Sequence, residues 1–128
     1  MPPKVQQLLS ELKKELARIY GERLKGVYLY GSYARGDNQS GSDVDVMIIL
    51  ASYQRYGDEI KRTSELNAKL SLDYNLSVSR LFMTEERWKN EDSPLLRNVR
   101  AQGQSALRII HKNFSKNPSM FWKPLKPC

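Results

Sequence analysis

Cysteine and histidine are nearly missing from this chain of 128 residues, which has one of each: Cys128 at the last position and His111. No disulfide can form within the chain, and a zinc site built on thiolates is excluded. Long apolar runs are missing too. Without a stretch of about 18 apolar residues, no membrane-spanning helix is expected. The opening residues, MPPKVQQLLSELKKEL, lack the apolar segment and small-residue cleavage site of a signal peptide. The expected location is the cytoplasm. Acidic residues are the scarcer sign of charge, 14 against 21 basic, giving a net charge of +7. Such a balance suits an anionic partner. The basic residues, however, are spread along helices, with a small cluster at His111, Lys112, Lys116, Lys123 and Lys126. No groove-reading motif accompanies them, so nucleic acid is not expected as the primary ligand.

What is present is a clear alternation of periods. Val5, Leu8, Leu9, Leu12, Leu16 and Ile19 recur at spacings of three and four, which predicts an amphipathic helix over residues 4–20. Pro2 and Pro3 suit its start. Val27 to Tyr30 reads as a short strand ending at Gly31. Ser32 to Arg35 reads as a helical turn, and residues 37–42 as a polar loop. The second strand runs from Asp43 to Leu50. A helix over 60–70, a strand over 76–83, a helix capped by Thr84 and a helix opened by Ser93-Pro94 follow. The expected fold is α/β (α+β), a small mixed sheet with helices packed on one face. Residues 1–112 form the expected domain, and residues 113–128 a basic, proline-containing tail. On the other, open face Asp43 and Asp45 are expected to project together, while Val44, Val46 and Ile48 point to the helices.

The stretch GSYARGDNQSGSDVD, residues 31–45, carries the chemistry. Glycine between a strand end and a helix start lets the backbone approach a phosphate with no Cβ in the way. The N–H groups of the following turn point at a bound anion, and the Ser32 hydroxyl adds a hydrogen bond. Arg35 can brace the loop or touch phosphate. Asp43 and Asp45 are spaced to project side by side from a strand, where two like charges are costly unless a cation neutralises them. Hard oxygen ligands suit Mg²⁺, which also takes phosphate oxygens and water. Two such ions would assist an attacking oxygen and a departing pyrophosphate.

This stretch resembles the signature of the minimal nucleotidyltransferases of the DNA polymerase beta-like superfamily. Gly31, Ser32, Ala34, Arg35, Gly36, Ser42, Asp43 and Asp45 all match its fixed positions. The resemblance implies the polymerase beta-like nucleotidyltransferase fold. It also implies Mg²⁺-dependent transfer of AMP, or another nucleoside monophosphate, from ATP or another nucleoside triphosphate. Two metal ions would be held by Asp43 and Asp45, with Gly31, Ser32, Arg35 and Ser42 on the nucleotide. Active relatives usually carry a third carboxylate on a following strand. Here Ser77 and Ser79 stand at the positions expected to face the site. Asp73 is the expected substitute, with Glu59 as the other acid considered.

Small members of the family often pair with a separately encoded helical HEPN protein, some as antitoxin and toxin. The resemblance thus implies AMP transfer to a hydroxyl of such a partner, in a hetero-oligomer. Two alternatives stand beside it: a catalytically degenerate, nucleotide-binding antitoxin acting by contact, and transfer to a small molecule. The HEPN ribonuclease pattern itself is absent, because Arg108 lies too close to His111 and Arg100 too far. Tyr28, Tyr30 and Tyr33 surround the phosphate loop, where stacking on a nucleobase is one reading; packing within the strand is the expectation for Tyr28 and Tyr30. Tyr53 and Tyr56 are left open between a base pocket and the surface.

Overall fold

The computed structural model describes residues 2–101. Helix α1 (Pro3–Tyr20) leads through a 3-10 turn (Gly21–Arg23) into strand β1 (Leu24–Tyr30). A short helical turn, α2 (Ser32–Arg35), precedes β2 (Val44–Leu50). Helices α3 (Tyr56–Arg62) and α4 (Ser64–Tyr74) cross to β3 (Val78–Thr84), which runs directly into α5 (Glu85–Asn90). Residues 94–101 are helical again. The expected domain boundary at 112, the tail over 113–128 and His111 lie outside the described residues.

The sheet order is β1-β2-β3, antiparallel between β1 and β2 and parallel between β2 and β3. The mixed sheet of an α+β fold is therefore found as expected. A tight turn cannot join parallel strands, and here α3 and α4 make the crossover. On one face Val44, Val46, Ile48 and Leu50 meet Leu29, Phe82, Leu70 and the α1 residues Val5, Leu8, Leu9, Leu12 and Leu16. This is the main helical layer, and the stripe read from the sequence forms it.

The opposite face is not wholly open. Tyr28, Met47, Ile49 and Met83 are covered there by Trp88 of α5 and by Leu96 and Val99. Trp88 stacks on Tyr28 with ring centroids 4.9 Å apart. The Arg100 guanidinium sits 5.0 Å from the Trp88 ring centroid and donates to the carbonyls of Trp88 and Glu91. A cation over an indole face, bonded to the last carbonyls of α5, fixes this second layer in place.

The helix expected over 60–70 is two helices. The chain breaks at Thr63, whose hydroxyl donates to the Glu59 carbonyl (3.0 Å). Arg80 of β3 donates to the Thr63 hydroxyl (2.8 Å) and to the Ile60 carbonyl (2.9 Å). These side-chain bonds compete with the helical ladder and end α3. Thr84 caps α5 as expected, accepting from the Arg87 N–H at 3.3 Å. No helix among the described residues is long and apolar enough to cross a membrane.

Candidate active site

The site lies where β1 ends beside the start of β2. Tyr30 pairs with Asp45 across the two strands. The next residue, Gly31, has φ 79° and ψ −158°, a region that only glycine occupies readily. A Cβ on Gly31 would lie 2.2 Å from Oδ2 of Asp45. The carboxylate is thus laid directly against the Gly31 backbone, and glycine is required for two separate reasons. The chain then turns through α2. The Gly31 carbonyl accepts from the Arg35 N–H (3.1 Å), and the Ser32 carbonyl from the Gly36 N–H (2.9 Å). The first N–H groups of such a turn have no acceptor within the turn itself.

Asp43 lies one residue before β2 rather than within it, and is exposed, while Asp45 is partly buried. Burial pushes the Asp45 carboxyl above the usual aspartate range, and the Asp43 charge pushes it further; Arg35 pulls it back. The two acids therefore repel each other with one guanidinium in partial compensation. That is the electrostatic condition a divalent cation relieves. Arg35 also braces the loop, with Nε 3.1 Å from Asp37 Oδ2. Ser42 closes the same loop: its Oγ accepts from the Gln39 N–H (2.8 Å), and its own N–H donates to the Gln39 carbonyl (3.0 Å). The structure thus gathers Gly31, Ser32, Arg35, Asp43 and Asp45 at one sheet corner, with Ser42 shaping the loop that joins them.

Asp73 is not part of that corner. It was expected at or before the start of the third strand; instead it occupies the last turn of α4. That helix continues to Tyr74 and ends at Asn75, in the left-handed region at φ 52°. Through Leu70, α4 packs on the face that carries Val44 and Val46, opposite the face of Asp45. The Asp73 carboxylate is 3.2 Å from Lys69 Nζ, which also lies 3.6 Å from Glu11. Glu59 is also committed elsewhere. It is buried, accepts from the Tyr20 hydroxyl at 2.8 Å and pairs with Arg62 at 3.2 Å.

The neighbour of Asp45 on β3 is Ser79. Tyr30, Asp45 and Ser79 form one row across the three strands. Ser77 contributes its carbonyl, which accepts from the Val44 N–H at 2.8 Å. Among the described residues no group of three or more His, Cys, Asp or Glu side chains could hold a metal ion. The protein's own offer to a cation at this corner is thus two carboxylates. That fits magnesium, which commonly takes one or two carboxylates and completes its shell with phosphate and water.

Two residues gain roles that the sequence reading did not give them. Tyr30 is half-buried against Asp45, and its hydroxyl pKa is raised, first by burial and then by that carboxylate. Asp37 holds Arg35; the two-residue spacing of opposite charges was its only signal. Tyr53 and Tyr56 follow the far end of β2. Tyr56 packs on β3, its hydroxyl accepting from the Phe82 N–H at 3.2 Å, and Tyr53 meets the Tyr56 ring edge-on.

A strand, a glycine turn and a paired Asp-x-Asp at the next strand define a nucleotidyltransferase corner. The model of the family "Nucleotidyltransferase domain" matches residues 9–101, well over half of the chain, and the chain belongs to that family. Two Methanocaldococcus jannaschii proteins, MJ0141 and MJ0604, each classed provisionally as a protein adenylyltransferase, are similar to it. The first is 33% identical over 73 residues, covering 57% of this chain and 73% of that protein. The second is 31% identical over 101 residues, covering 77% and 94%. Among solved structures, a chain from a toxin–antitoxin crystal structure with AMP-PNP superposes with a TM-score of 0.51 at 22% identity, over 85% of this chain and 86% of that one. A chain of the MntA–HpeT toxin–antitoxin, in a form with two aspartates changed to glutamate, gives 0.51 at 20% identity over the same shares. These two likenesses establish the fold.

Proposed function

We propose that the chain is a protein adenylyltransferase that moves AMP from ATP to a hydroxyl of a helical HEPN-type partner, and so acts as the antitoxin of a pair. The observation that carries this reading is the Asp45 carboxylate packed on the Gly31 backbone with Asp43 beside it. The provisional class of the M. jannaschii relatives supports it. So does the fold shared with chains of toxin–antitoxin complexes.

In this reading Gly31 lets the triphosphate lie on bare backbone, and Ser32 donates to a phosphate oxygen. Asp43 and Asp45 hold magnesium. When bound, the metal neutralises charge on the reacting phosphate and on the departing pyrophosphate. Arg35 keeps the loop in register through Asp37 and tempers the repulsion at Asp45. The acceptor hydroxyl displaces pyrophosphate from the α-phosphorus and loses its proton. Ser79 is no carboxylate base, so that proton leaves to solvent or to a group of the acceptor protein.

The same serine favours one second reading. With Ser79 beside Asp45, a chain that binds nucleotide without turnover and restrains its partner by contact is consistent with the site. Incubation with labelled ATP, Mg²⁺ and the product of the adjacent gene separates the two. Label on that protein, lost in Asp43→Ala and Asp45→Ala, supports transfer. Restraint of the partner that survives both substitutions, with no label, overturns it in favour of contact.

A further inference from the structure

A second site lies at the other end of the sheet. The antiparallel register brings Leu24, at the start of β1, beside Leu50, at the end of β2. Asp45 is five residues back along β2, a distance of about 17 Å at the usual strand rise. A cavity of about 290 Å³ opens there, lined by Arg23, Arg55 and Arg62 with Tyr53, Asp58 and Glu59.

The arginines are held, or left free, in specific ways. Arg23 donates to the Ser52 carbonyl at 2.9 Å, and its guanidinium carbon is 5.5 Å from the Tyr20 ring centroid. It is therefore fixed by a neutral acceptor and a ring, and its charge is not cancelled. Arg62 is steadied by Glu59 at 3.2 Å. That carboxylate also accepts from Tyr20 and is buried, so it is spent within the fold. Arg55 makes no ion pair among the described residues, and Asp58 is the one remaining acid on the wall. Three guanidiniums thus meet two carboxylates, one of them consumed internally.

We propose that this cavity binds a phosphate group, gripped by Arg23 and Arg55 with Arg62 at its side. Guanidinium forks match phosphate oxygens in pairs; Arg23 is already held in place for such a contact, and Arg55 is free to close on the same group. The volume accommodates a phosphate with its sugar and is small for a whole drug-sized ligand. The phosphate comes either from a free nucleotide or from a polynucleotide backbone crossing the cup.

Arginine side-chain N–H spectra of the full chain, titrated in turn with AMP and with a ten-residue oligothymidylate, both without metal, test this. The expected result is saturable shifts of the Arg23, Arg55 and Arg62 signals. Binding should weaken about tenfold or more in Arg55→Ala and in Arg23→Ala. The probe that saturates at lower concentration identifies the source of the phosphate. Silence of all three arginines with both probes at millimolar concentration overturns the proposal. So does a response of Arg35 alone, which would place phosphate only at the corner already described. The outcome is independent of whether transfer occurs.

Discussion

Replacing Gly31 by alanine probes the contact on which the candidate site is built, and Gly36→Ala provides its control. Both glycines have positive φ, 79° and 83°. At Gly36 a Cβ would meet nothing within 4 Å, so the change adds backbone strain alone. That strain is roughly 1–2 kcal/mol in the left-handed region. At Gly31 the backbone lies where strain is on the order of 1–3 kcal/mol. The new Cβ would also stand 2.2 Å from Asp45 Oδ2 and 3.1 Å from its Cγ, so the carboxylate must turn away. An off-rotamer side chain adds about 0.5–1.5 kcal/mol. The sum for Gly31→Ala is roughly 1.5–4.5 kcal/mol. At about 4 °C per kcal/mol for a domain of this size, the expected fall in Tm is roughly 6–18 °C, against roughly 4–8 °C for Gly36→Ala. Thermal unfolding by circular dichroism reads both. Calorimetric titration with AMP-PNP and Mg²⁺ should then show binding retained in Gly36→Ala and lost in Gly31→Ala. Equal losses of stability with equal nucleotide binding would refute the argument.

The acids make three further predictions. The raised Asp45 pKa means that the folded chain holds this proton more firmly than the unfolded one. Stability therefore falls as pH rises from the ordinary aspartate range through the raised value, and stays lower above it. Asp45→Asn should raise Tm at pH 7 without metal, with the gain vanishing below the ordinary aspartate range; a gain that persists there would contradict the assignment. Ser79→Asp would place a third carboxylate in the row of Asp45. It should cost up to about 1 kcal/mol without metal, recover in Mg²⁺ and raise transfer activity. A Tm indifferent to Mg²⁺ would show that Ser79 does not face the acids. Asp73→Asn should remove only an exposed pair with Lys69, costing less than about 1 kcal/mol, with turnover unchanged. A tenfold loss of kcat would bring Asp73 back into the mechanism.

How much of this could be read in advance depended on range. The α1 stripe, the Thr84 cap and the Gly31 turn are written in neighbouring residues, and each was legible. The spacing of Asp43 and Asp45 was legible too, although the strand begins one residue later than expected. What stayed hidden was set by contacts between distant segments. The break at Thr63 depends on Arg80, which lies 17 residues away in the chain. Asp73 looked like a strand-edge acid because its helix was expected to stop at Leu70; Asn75, able to enter the left-handed region, extends it to Tyr74. The second layer over Tyr28 and Met47 needed Trp88 and Arg100 to meet, and no local period announces that pairing. The arginine cup likewise exists only because antiparallel pairing joins the start of β1 to the end of β2.

Manganese binding followed by electron paramagnetic resonance, with AMP-PNP present, tests most directly whether Asp43 and Asp45 form a cation site beneath a triphosphate. Saturable, nucleotide-dependent uptake by the unaltered chain is expected, with at least a tenfold loss of affinity in Asp43→Asn and in Asp45→Asn. Uptake that is the same in all three proteins would contradict such a site.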